Sequence, residues 1–127
     1  MKLLTKILIP ALLVAALFTA CKKDKDNAPA KTHKVVLKVT ASSGVNLSDV
    51  GYGFDNEITT ATNLSGATWT SPELTQPAGA RSVGISIGGV GPNASATMKV
   101  QIVVDGEVKK EGTAAGQILH TSVIHFF

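Results

Sequence analysis

The chain has 127 residues, a formal net charge of +3 and a single cysteine. That length suits one small domain, and a lone cysteine excludes a disulfide framework within it. From Val35 onward five basic residues meet seven acidic ones, a net charge of −2, so the folded part lacks the electrostatic footprint of a nucleic-acid binder.

Lys2 and Lys6 precede an apolar run from Ile7 to Phe18, which ends in Leu17-Phe18-Thr19-Ala20-Cys21. A basic start, a short apolar stretch, small residues and then a cysteine form the signal of a bacterial lipoprotein. As a permanent membrane span the run is too short: a helix of this length reaches roughly 18 Å, against a hydrocarbon core of about 30 Å. Residues 1–20 are therefore expected to be removed. Cys21 is expected to carry the acyl chains that hold the protein to a membrane. Residues 21–34 are rich in lysine and lack large apolar side chains, so they read as a flexible tether. The Lys-Lys-Asp-Lys-Asp run after Cys21 resembles signals that send some Bacteroidetes lipoproteins to the cell surface; a plain solvated spacer is the competing reading. The expected location is the cell envelope, at the outer membrane of a Gram-negative bacterium of that type, on its periplasmic face or at the surface.

Residues 35–127 show no sustained helical period. Short β-branched runs separated by Gly, Asn, Asp and Pro predict an all-β domain, an immunoglobulin-like antiparallel sandwich of about 7–8 strands. The runs are His33–Thr40, Ser48–Phe54, Ile58–Leu64, Ala67–Leu74, Arg81–Gly88, Ala96–Val103, the segment after Asp105-Gly106, and Gln117–Phe127. Pro72 places the fourth run at an edge or a bulge. Gln76–Ala80 and Gly88–Asn93 read as loops. At Asp105-Gly106 a two-residue turn would set Ile102 opposite Lys109 and mix the faces. A three-residue Val104-Asp105-Gly106 loop with a G1 bulge sets Ile102 opposite Val108, and hydrophobic register favours it. The C-terminal Phe127 invites comparison with outer-membrane barrels, but most runs here are shorter than the ten or so residues such strands need. Val123–Phe127 is expected to seal the core, its edge protected by neighbouring strands.

Lys34–Thr40, Trp69 after the Gly66 turn, and the Val100–Glu111 stretch with its Asp105-Gly106 turn together resemble the MmpS family. These are small extracytoplasmic β-sandwich proteins, among them mycobacterial accessories of lipid and siderophore exporters, with lipoprotein relatives in Bacteroidetes. The resemblance implies a non-catalytic role beside an envelope exporter. The mycobacterial members use a membrane helix where this chain has Cys21.

Nothing in the sequence assembles an active site. His120 and His125 lie five apart on one strand and point to opposite faces, so they cannot share an ion. His33 is distant in sequence from both. Gly84-Ile85-Ser86-Ile87-Gly88 spells a nucleophile elbow, but no helix follows it. Asp55 and Glu57 form a pair of carboxylates, in a turn where acids are common. No catalytic, cofactor-binding or metal-binding residue is expected, and no enzyme. Trp69 and Tyr52 are the side chains suited to meeting a ligand or partner. The expectation is a lipid-anchored binding or accessory module for an envelope protein. The alternative is a surface lipoprotein that holds a glycan or small ligand through the Gly88–Asn93 and Gln76–Ala80 loops.

Overall fold

The computed structural model describes residues Thr32–Phe127; the expected signal, Cys21 and the part of the expected tether up to Lys31 lie outside the described residues. Nine strands follow one another: β1 (Lys34–Ala41), β2 (Asn46–Phe54), β3 (Glu57–Ala61), β4 (Thr68–Thr70), β5 (Leu74–Thr75), β6 (Ser82–Val90), β7 (Thr97–Val104), β8 (Glu107–Ala115) and β9 (Ile118–Phe126). They form two antiparallel sheets packed as a β-sandwich, the architecture expected from the alternating pattern. Sheet A runs β4-β1-β7-β8, with β5 also on β1, and sheet B runs β3-β2-β6-β9. Only β2-β3 and β7-β8 are hairpins within one sheet whose strands pair directly. The connections from β1 to β2, β3 to β4, β5 to β6, β6 to β7 and β8 to β9 each cross between sheets.

Alternation decides which side chains enter the core. Val35, Leu37 and Val39 of β1 sit opposite Val104, Ile102 and Val100 of β7, and all six are buried. Residues directly opposite in a ladder share a face, so these six form one apolar surface. Sheet B meets it with Val50, Tyr52, Val83, Ile85, Ile87, Leu119 and Val123, also buried.

The fourth run divides in two because Pro72 has no amide to give the ladder. Between β4 and β5 the chain keeps its pairing through Ser71. Its amide donates to the Leu37 carbonyl at 2.9 Å, and its Oγ accepts from the Leu37 amide at 2.9 Å. The same hydroxyl donates to the Pro72 carbonyl at 2.8 Å. A side chain thus stands in for the main-chain partner that the proline region cannot supply, and Ser71 is buried for this reason.

Two expectations are corrected here. The turn after β7 has two residues: Val104 pairs with Glu107, and both Asp105 (φ 51°) and Gly106 (φ 81°) are left-handed, as a type I′ turn requires. The register slip lies inside β8 instead, where Val103 faces Val108 but Ile102 faces Lys110, leaving Lys109 as the extra residue. The inward positions of β8 are Lys110, Gly112 and Ala114, so this strand has no large apolar side chain whose burial would fix its register. The second correction concerns Gly88–Asn93. Gly88, Gly89 and Val90 belong to β6, paired with His120, Leu119 and Ile118. A Cβ on Gly89 would lie 3.2 Å from the Asn46 carbonyl and 3.3 Å from Val45, so the glycine marks close packing rather than a loop.

Candidate functional site

The two turn aspartates serve the fold. Asp55, at the β2-β3 turn, accepts from the amides of Arg81 (3.1 Å) and Ser82 (3.0 Å) and donates its own amide to the Ser82 carbonyl at 3.0 Å. Asp105 repeats the arrangement at the β7-β8 turn: its carboxylate takes the Lys34 amide at 2.9 Å, and its amide donates to the Lys34 carbonyl at 2.8 Å. Each carboxylate pins a turn to the start of a neighbouring strand. Asp55 is thereby committed to backbone amides, while Glu57 sits exposed beyond it on β3.

Tyr52 and Trp69 do come together, but they face inward. Tyr52 is 8% exposed, and its ring lies 5.2 Å from that of Trp69, tilted by 52°. Trp69 pairs with Val39 and packs half-buried against the core. The pair closes one open side of the sandwich.

The histidines divide as the strand period requires. His125, on the inner face of β9, meets Phe127 edge-on at 5.2 Å, while His33 stacks on the same ring at 5.5 Å and bonds the Asp105 carboxylate at 2.5 Å. Phe54 completes this cap at 6.3 Å from Phe127. Desolvation in the cap pushes the pKa of His125 below its usual 6.5, with the positive charges of Lys109, Lys110 and His33 adding to the effect. A lowered histidine value means that protonation favours the unfolded chain. Its contribution is whole above the unfolded value and is lost as pH falls through the folded one. In urea titrations at a series of pH values, His125→Gln should therefore be less sensitive to acidification below about pH 6.5 than the natural chain. Equal sensitivity would show that His125 is not the group responsible.

The most unusual surface is the outer face of sheet B. Ladder register brings Ile58, Gly53, Gly84 and Ile124 into one row across its four strands. The next row is Thr60, Gly51, Ser86 and Ser122. The inner strands β2 and β6 thus present glycine and serine, while the edge strands β3 and β9 raise isoleucine on either side. A shallow groove of about 300 Å³ results, floored by Gly51, Gly53 and Gly84. Ile58 (60% exposed), Val90 (51%), Ile118 (77%), Ile124 (53%) and Phe126 (70%) all point outward here. The outward residues in these paired rows carry no acidic or basic group besides His120, though Asp49 is exposed on β2 and Asp55 lines the end of the groove. The outer face of sheet A is the opposite, with Lys34, Lys38, Lys99 and Glu111 exposed and Gln101 donating to Glu111 at 2.8 Å. A larger open depression of about 820 Å³ lies on that side, lined mainly by threonine and alanine with Lys99 and Gln101.

The Ser86 singled out by its glycine spacing lies on the sheet B face, and it does touch a histidine. Ser122 Oγ donates to Ser86 Oγ at 2.9 Å, and Ser86 Oγ lies 3.3 Å from His120 Nε2. Ser86 occupies the middle of an inner strand, paired on both sides with Gly51 and Ser122. The surrounding backbone amides serve the ladder, so an attacking hydroxyl would find no free pair of N–H groups to hold an oxyanion. Among the described residues no group of three or more His, Cys, Asp or Glu side chains is placed to hold a metal ion.

The loops considered for a glycan are separated. Gln76–Ala80 leads into β6 and the Gly91–Asn93 turn follows it, so a nine-residue strand divides them, and a small ligand cannot touch both. Sequence reasoning did not find the sheet B face, because its rows join residues from four strands. The exposed Ile118, Ile124 and Phe126, alternating along one run, were the available signal. No protein-family model matches the chain, and no curated protein shows significant similarity to it.

Proposed function

We propose that this protein is a lipid-anchored, non-catalytic binding module of the cell envelope, held at the outer membrane through Cys21, and that it works through the outer face of sheet B. The observation that carries the reading is the contrast between the two outer faces: five large apolar side chains exposed on sheet B, where Asp49 is the one charged outward residue of the strands, against three lysines and a glutamate on sheet A. These side chains form two exposed apolar groups, Ile58, Ile124 and Phe126 at one end and Val90 with Ile118 at the other, and exposed apolar surface of this kind marks an interaction surface. The committed turn carboxylates and the absence of free amides beside Ser86 fit binding better than catalysis. An accessory role in an envelope export assembly is the specific form that the MmpS resemblance suggests. A glycan-binding role remains the alternative reading: Tyr52 is buried, but Trp69 is only half-buried and Phe126 is 70% exposed.

The anchor is tested by growth with radiolabelled palmitate. The natural chain should take up label and Cys21→Ser should take up none; equal labelling of both would contradict it. The working face is tested by the size of the complex extracted in mild detergent, with and without lysines at Ser86 and Ser122.

A further inference from the structure

We infer that the occupant of the sheet B face is a second copy of this chain, packed face to face about a two-fold axis that runs along β6. The inference rests on reading this face as a docking surface, and it adds which partner fits.

Charge is the first reason. In a two-fold contact a charge on the axis meets its own like, which disfavours association, while a charge off the axis meets a different residue. The β6 residues on the axis carry no charge, and Asp49, exposed on β2, is set over β9 of the partner, which holds no acidic or basic residue besides histidine, so no like charges are opposed.

Shape is the second. An axis along β6 keeps each row at its own height and exchanges the strands on either side of β6. Strand β9 of one copy then lies over β2 of the other. Ile124 and Gly53 share a row, so the isoleucine ridge of each copy enters the glycine floor of its partner. Ser122 comes over Gly51 in the next row, and Ser86 faces its own counterpart on the axis. The raised edge and the bare centre are one strand pattern seen twice, as an isologous contact demands.

Size is the third. Three overlapping strands at about 4.8 Å spacing and roughly 30 Å length give about 450 Å² of flat area per copy. The two together approach the roughly 1,000 Å² that a specific interface needs. The dimer is therefore weak in dilute solution and is favoured wherever a membrane concentrates the chains.

The test uses the full chain in native membranes with a short bis-maleimide. Ser86→Cys, nearly isosteric and on the axis, should give a band at twice the monomer mass. Thr113→Cys, outward on sheet A, should not, and the unsubstituted chain controls for the thiol of Cys21. Adding Gly84→Leu to Ser86→Cys, which fills the floor beside the axis, should cut the doubled band at least several-fold. No doubled band from Ser86→Cys, or equal bands from Ser86→Cys and Thr113→Cys, would overturn the dimer. A crosslink from Ser86→Cys to a different protein would also overturn it, while leaving the docking face standing.

Discussion

Replacing Gly53 by alanine should cost the domain about 3 kcal/mol or more, at the upper end of what overpacking does. A Cβ at this position would lie 1.8 Å from the Glu57 carbonyl oxygen. The obstacle is backbone within the same hairpin, so no rotamer change can relieve it, and β2 and β3 must part. In a domain of this size the melting temperature should fall by more than about 10 °C. Gly84, its direct ladder partner, is the control. Alanine there would meet Ile124 at 3.4 Å, an ordinary contact, and should be neutral or stabilising by up to about 1 kcal/mol through reduced chain entropy. Urea unfolding followed by Trp69 fluorescence distinguishes the two. Equal losses would mean that the hairpin is not as tight as this geometry requires.

Ser71→Ala should cost about 1–3 kcal/mol, large for the loss of one hydroxyl. The hydroxyl accepts from the Leu37 amide at the centre of β1, where water cannot replace it. Alanine would leave that donor buried and unpaired. Ser82→Ala removes a longer 3.3 Å bond to Asp55 at an exposed site and should change stability by less than about 0.5 kcal/mol. Chemical denaturation of both variants checks the contrast; a Ser71→Ala loss no larger than that of Ser82→Ala would refute the ladder role.

The sandwich was legible because β1, β6 and β7 alternate cleanly, and a period of two with one buried face leaves little choice of register. Pro72 likewise announced an edge, although not that Ser71 would carry the ladder past it. Register in β8 was not legible, because Lys110, Gly112 and Ala114 bury too little to distinguish a slip at the turn from one in the strand. Gly88-Gly89 read as a loop because glycine is rare in strands. Here a Cβ on Gly88 would lie 3.0 Å from Ser48 Oγ and 3.2 Å from the Leu119 carbonyl, a tight approach within the sheet. Gly112 is similar, since a Cβ there would meet Val123 at 2.6 Å where β8 passes β9. The sheet B face was hidden for a different reason. Ile58, Gly53, Gly84 and Ile124 are scattered through the chain, and only the order β3-β2-β6-β9 makes them a row. Val123–Phe127 was expected to seal the core with its edge protected; Val123 is buried, but Ile124, Phe126 and Phe127 are exposed and β9 is itself an edge strand of sheet B. Its alternate residues remain outside and supply the ridge.

The central claim is that this sheet B face is occupied when the protein works. Its most direct measurement is the native mass of the full chain extracted from envelopes in mild detergent, natural against Ser86→Lys with Ser122→Lys. The natural chain should run as an assembly larger than one copy, and the doubly charged variant, folded by circular dichroism, should run as a monomer. A natural chain that is itself monomeric, or an assembly indifferent to two lysines on that face, would contradict the account.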